Sequence, residues 1–159
     1  MTQRQNVPGY EEDFVAWLED QARHARRGEI DALDLENIAD ELDGMAHSDR
    51  REIRNRLIVL LAHLLKCLVQ PHKRSSSWLG TIDDQRFQIA ELLEDSPSLH
   101  NYPAQILDRY YPFARRNAAR RMRLSESALP KSCPFDIAEV LDRAWLPPER
   151  VQSDDKTRG

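Results

Sequence analysis

The sequence predicts an all-α fold, and three observations carry that prediction. Apolar residues recur at three- and four-residue spacing over most of the chain, whereas half-buried strands alternate every second residue. Only five glycines occur in 159 residues, too few for the tight turns of an all-β chain. Cap and breaker residues divide the apolar stripes into five to six helices, expected to form one compact, bundle-like domain over 1–148 with a polar tail over 149–159.

Phe14, Trp17, Leu18, Ala22 and Ala25 mark the stripe of a first helix over roughly 11–27. Gly28, after Arg26 and Arg27, has the position of a C′ glycine behind a basic last turn. Asp34 is placed to cap a second helix with the stripe Leu35, Ile38, Leu42 and Met45, running up to about Gly44. Ser48 or Asp49 then starts the longest helix, since Asp49 and Glu52 have capping-box spacing. Its stripe is Ile53, Leu57, Leu60, Leu61, Leu64, Leu65 and Leu68, and Pro71 ends it. This is the expected core helix, against which Trp17, Leu18, Ile38 and Leu42 are expected to pack at Leu57, Leu61 and Leu64.

One serine of the polar linker His72–Ser77 caps a fourth helix over about Trp78 to Glu94, with Ile82, Ile89, Leu92 and Leu93 inward. Asp95-Ser96-Pro97-Ser98 is a turn and a new start. A fifth region places Leu99, Tyr102, Ile106, Tyr110, Phe113 and Ala114 on its apolar side and arginines opposite. Pro103 suits a first turn, but Pro112 removes a donor and crowds the carbonyl of Asp108, which predicts a kink or a split. Asp136 and Glu139 box a short last helix ending near Trp145. The tail VQSDDKTRG has no apolar anchor and is expected to pack weakly.

Composition narrows the function classes. Hydrophobic residues make up 40% and charged residues 31%, enough for a core beneath a heavily charged surface. No apolar run approaches the ~20 residues of a membrane span, and the first residues lack the apolar core of a secretory signal. Cys67 and Cys133 are isolated thiols without metal-ligand spacing or a disulfide pattern. The expected compartment is the cytoplasm. The net charge of −4 is unevenly spread: residues 1–47 hold 12 acids against 4 bases, and residues 48–125 hold 14 bases against 8 acids. Such segregation reserves a basic face for an anionic partner or folds one segment onto the other.

The runs DFVAWLEDQA, LDLENIADEL, RLIVLLAHLLKCLVQP, SSSW with TIDDQRFQI, LLEDSPSL and CPF occur in that order. Together they resemble the bacterial family catalogued as domain of unknown function 29, over about Tyr10 to Trp145. The resemblance implies an α-helical fold and supplies no activity, cofactor or catalytic residue. Cys67 stands where the family pattern leads us to expect an aromatic such as Trp.

Three constellations invite a functional reading. His63 and Lys66, with Glu41, Asp40 and Glu36 from the preceding helix, form the best polar cluster; a carboxylate-held histidine is a general base or half of a metal site. No Glu-x-x-His pair accompanies it, so the plain reading is an interfacial histidine with one hydrogen bond. No nucleophile elbow, phosphate loop or dinucleotide fingerprint occurs, which argues against an enzyme and calls for no cofactor and no metal. Next, RRNAARRMR lets Arg109, Arg116, Arg120 and Arg123 line one helical face near Tyr110 and Tyr111. The pI of 5.7 and the fit of Tyr110 to the core stripe favour a solvated face over a nucleic-acid site. Finally, Trp17, Trp78 and Trp145 are anchors if exposed, Trp17 being expected in the core. The leading expectation is a non-catalytic protein-interaction or regulatory domain, with no membrane contact and no nucleic acid, and with nothing in the pattern fixing an oligomeric state.

Overall fold

The computed structural model describes residues 6–149. Among the described residues it is all-helical, with five α-helices, four short 3₁₀ turns and no strand. The chain falls into two compact units, Met1–Ser48 and Asp49–Gly159. The expectation for the VQSDDKTRG tail lies outside the described residues.

In the N-terminal unit α1 (Phe14–Arg27) starts at Asp13, whose carboxylate accepts the Ala16 N–H at 3.0 Å. It stops at Gly28, whose φ of 70° no β-carbon has to tolerate. Beyond it, the N–H groups of Gly28 and Glu29 reach back to the carbonyls of Ala25 and His24, the closure of a Schellman motif. A 3₁₀ turn over Ile30–Ala32 leads to Asp34, which accepts from the backbone and side chain of Asn37 and caps α2 (Leu35–Val69). Across the turn, the side-chain oxygen of Gln21 accepts the Asp34 N–H at 2.7 Å, and Trp17 is buried beside it on α1.

Two expectations fail here. The stripe of the first two helices is only partly buried: Trp17 is inside, but Phe14, Leu18, Leu35, Leu42 and Met45 are exposed. Moreover, α2 is one helix of 35 residues, unbroken at Gly44, Ser48 and Asp49. A mid-helix glycine costs ~1 kcal/mol relative to alanine but does not by itself stop a helix. A glycine stop of the kind seen at Gly28 uses a left-handed φ, and Gly44 does not adopt one. Capping-box spacing at Asp49 and Glu52 therefore lies in mid-helix.

In the C-terminal unit, the later part of α2 supplies Leu57, Leu60, Leu61, Leu64 and Leu65, all fully buried. They pack with Ile82 and Ile89 of α3 (Ser76–Asp95) and with Ile106, Tyr111, Ala114 and Ala118 of α4 (Tyr102–Met122). Ser75 caps α3 by accepting the Trp78 N–H, as the polar linker suggested. The helix α4 has Pro103 in its first turn and runs through Pro112 without the expected split. Pro112 and Asp108 are both exposed, so water can satisfy the carbonyl that proline leaves without a donor. Here Tyr111, not Tyr110 or Phe113, is the fully buried aromatic, and Phe113 is 52% exposed. The capping box of Asp136 and Glu139 is present, but α5 (Ile137–Leu141) ends four residues before Trp145. The Asp142 carboxylate accepts the Ala144 N–H and turns the chain, leaving Trp145 edge-on to Phe135.

Polar staples hold the irregular C-terminal segment to the helices. Arg86, 2% exposed, donates to the carbonyls of Val140 (2.8 Å) and Glu139 (3.3 Å) at the end of α5. Arg74 donates to the carbonyls of Cys67 and Pro147. Arg115 donates to those of Glu126 and Leu129, and the Tyr111 hydroxyl to that of Pro130 at 2.6 Å.

Candidate functional site

His63 and Lys66 lie one turn apart on α2 and are 6% and 7% exposed. The Nδ1 of His63 is 2.9 Å from the carbonyl of Val59. A carbonyl only accepts, so Nδ1 carries the proton and a neutral ring keeps Nε2 as acceptor. Burial, and then the charges of Lys66 and Arg121, hold the imidazole below its ordinary pKa; the Val59 carbonyl pulls the other way. Lys66 is lowered by burial and by Arg121, and its ammonium sits 4.2 Å from the centre of the Trp78 ring. Among the described residues no carboxylate pairs with either group. The Val59 carbonyl thus orients the imidazole, and the Lys66 ammonium faces the Trp78 ring.

The carboxylates that the sequence offered to His63 belong to the N-terminal unit. Glu41 accepts the hydroxyl of Tyr10, and this bond, ahead of desolvation, pushes the Tyr10 phenol up to about 12. Tyr10 stands edge-on to Trp17 and Phe14, at 4.9 and 5.7 Å between ring centres. Glu36 and Asp40 are exposed. Among the described residues no three His, Cys, Asp or Glu side chains converge as metal ligands. Cys67 is buried and Cys133 half-buried; burial raises both thiols, the reverse of an activated thiolate.

Two surfaces among the described residues have unpartnered character and lie elsewhere. In the N-terminal unit, Val15 (62%), Leu42 (60%) and Met45 (67%) are exposed together with Phe14, Leu18 and Leu35. Leu35, Leu42 and Met45 share one face of α2 by their spacing. In the C-terminal unit, Arg109, Arg116, Arg120 and Arg123 are all exposed along α4. Arg116 pairs with Glu126 at 3.4 Å. Tyr110 carries two guanidinium groups, those of Arg54 and Arg109, each 5.5 Å from its ring centre, with Phe113 at 5.8 Å. Sequence reasoning found the arginine row but assigned Phe113 to the core. The spacing of Phe113 from Arg109 and Arg116, four residues and three, was the signal for the opposite face. A cavity of about 900 Å³ is lined by Leu68, Val69, Pro71, His72 and residues 127–130.

No helix among the described residues is long and apolar enough to cross a membrane. Residues 10–146 match the family model described as Domain of unknown function DUF29. No curated protein and no solved structure matches the chain.

Proposed function

The chain belongs to the DUF29 family, and we propose that it is a non-catalytic docking module whose N-terminal unit receives a basic amphipathic segment of a partner protein. The supporting observation is the exposure of Leu35, Leu42 and Met45 on one face of α2. Large side chains left in water along a regular stripe mark an interaction surface, whereas isolated exposed leucines do not. Charge selects the partner. Residues 1–47 hold 12 acids against 4 bases, so a segment of apolar anchors flanked by Lys or Arg is complementary. A second copy presenting the same face would oppose acid to acid. The cytoplasm is part of this reading, because two unpaired thiols suit a reducing compartment.

The test is titration of the full chain with a labelled amphipathic Leu/Lys peptide and with its Leu/Glu counterpart, followed by anisotropy. The Leu/Lys peptide binds and the Leu/Glu peptide does not, and the double variant Leu42→Asp, Met45→Asp loses the binding while keeping its circular dichroism spectrum. Equal binding of both peptides, or no effect of the double variant, refutes the proposal. So does sedimentation showing a dimer that the same variant dissociates, since a second copy then covers the face.

A further inference from the structure

We infer that the outward face of α4 binds single-stranded nucleic acid, independently of the N-terminal docking surface. Arg109, Phe113, Arg116 and Arg120 follow one another at four, three and four residues. That spacing stacks them in a single row on a helix, about 16 Å long at ~1.5 Å per residue. All four are exposed. Apart from the contact of Arg116 with Glu126, none of them has a carboxylate partner among the described residues. The row is extended sideways by Arg54 of α2, whose guanidinium lies over Tyr110 with that of Arg109.

Phe113 selects the ligand class. A solvated arginine face needs no aromatic ring, and burying Phe113 would stabilise the fold; instead 52% of it faces water. Its ring is backed by Tyr110 at 5.8 Å, tilted by 40°, so one aromatic group is held among cations. Cations that meet phosphates beside a ring that stacks on bases are the two parts of a single-strand site. A duplex hides its base faces and leaves the ring without a role. An acidic peptide uses the arginines but has no flat group for Phe113. Basicity here is local: residues 48–125 carry 14 bases against 8 acids within a chain of net charge −4. General polyanion adhesion is thereby opposed by the rest of the molecule.

The experiment is fluorescence anisotropy on the full chain with labelled oligo-dT and oligo-rU. Duplex DNA of equal length, polyglutamate and phosphatidylglycerol vesicles serve as competitors. The single strands bind, and duplex, polyglutamate and vesicles compete weakly. Phe113→Ala weakens binding by about five-fold or more at unchanged salt slope, and Phe113→Trp retains it. The triple variant Arg109→Gln, Arg116→Gln, Arg120→Gln flattens the slope of log affinity against log salt by about 2 units. Glu126→Gln releases Arg116 and tightens binding. Circular dichroism of each variant matches the parent, as their exposure requires. Absence of single-strand binding at low salt, equal competition by polyglutamate, duplex or vesicles, or an unaltered affinity of Phe113→Ala overturns the inference.

Discussion

Replacing Arg86 by methionine tests whether the C-terminal segment is held by directed hydrogen bonds or by apolar packing alone. Methionine keeps an unbranched apolar stem in the space between Ile82 and Ile89 and removes the guanidinium. Two charge-assisted bonds are lost, to Val140 at 2.8 Å and to Glu139 at 3.3 Å. The two carbonyls are not equivalent. That of Glu139 also accepts the N–H of Asp142 and keeps a partner, whereas the carbonyl of Val140 stands at the end of α5 without a helical donor. A hydrogen bond to a charged group contributes ~1.5–3 kcal/mol, and an orphaned buried acceptor costs ~1–3 kcal/mol. Against this, methionine relieves the desolvation of a buried cation, whose charge burial already disfavours. We expect a net loss of about 2–4 kcal/mol, equivalent to roughly 6–12 °C in Tm for a domain near this size. Urea unfolding followed at 222 nm measures it. Hydrogen exchange should accelerate first in residues 137–147, which the staple holds. A variant within ~0.5 kcal/mol of the parent, a size ordinary for inconsequential surface changes, or a more stable one, refutes the reasoning. It would mean that the desolvation of Arg86 outweighs its bonds.

Three further outcomes follow from the C-terminal unit. Tyr111→Phe removes the hydroxyl bond to Pro130 and should cost about 1 kcal/mol at neutral pH. Burial pushes the Tyr111 phenol from 10.0 up to about 12, so its stabilising contribution is complete below pH 10 and falls as pH rises towards 12. The phenylalanine variant should lose part of that alkaline decline in a urea series across this range. His63 is shifted the other way: its contribution is complete above the ordinary 6.5 and is lost as pH falls below it, when the unfolded chain takes the proton first. His63→Gln should flatten the acid limb of stability between pH 6.5 and pH 4, and an unchanged limb would show that the ring is not held neutral. Leu61→Ala, at a fully buried position, should cost about 2–5 kcal/mol by calorimetry.

Much of the fold was legible because local signals and burial agreed. Asp34, Ser75 and the pair Asp136 and Glu139 cap helices as their spacing suggested, and Gly28 ends α1 in the left-handed conformation. Misreadings arose where a local signal had no packing behind it. Gly44 and Asp49 look like a stop and a start, yet a glycine only weakens a helix, and α2 runs through both. Stripe counting likewise put Leu42 and Met45 inside, because periodicity reports that a helix has an apolar face and not that anything covers it. In the polar clusters, sequence could pair His63 with Glu41 only by supposing two separate helices face to face. A single α2 removes that supposition, and the carboxylate is taken by Tyr10.

The arginines show most directly how placement rather than composition decides what a charged residue does for the fold. Arg86 was invisible as a core residue because charge ordinarily signals surface. Yet it falls four residues after Ile82 and three before Ile89, squarely on the buried stripe of α3. A cation at such a position must find acceptors, and with no carboxylate paired to it among the described residues the carbonyls of Val140 and Glu139 supply them. Arg74 and Arg115 meet the same demand at Cys67, Pro147, Glu126 and Leu129. These bonds position chain, while Arg115 also lies 3.7 Å from the Glu126 carboxylate and its buried Nε has no hydrogen-bond partner among the described residues. Arg109 and Arg120 have no such contacts among the described residues, and the aromatic ring between them, Phe113, faces outward. Buried Arg86 and half-buried Arg74 and Arg115 thus serve the fold through carbonyls, whereas the group proposed to bind single strands stands in solvent with an uncovered phenylalanine. The proposed surface is therefore accessible to mutation, because Phe113 and its flanking arginines carry little of the core that Leu57, Leu61 and Tyr111 hold together.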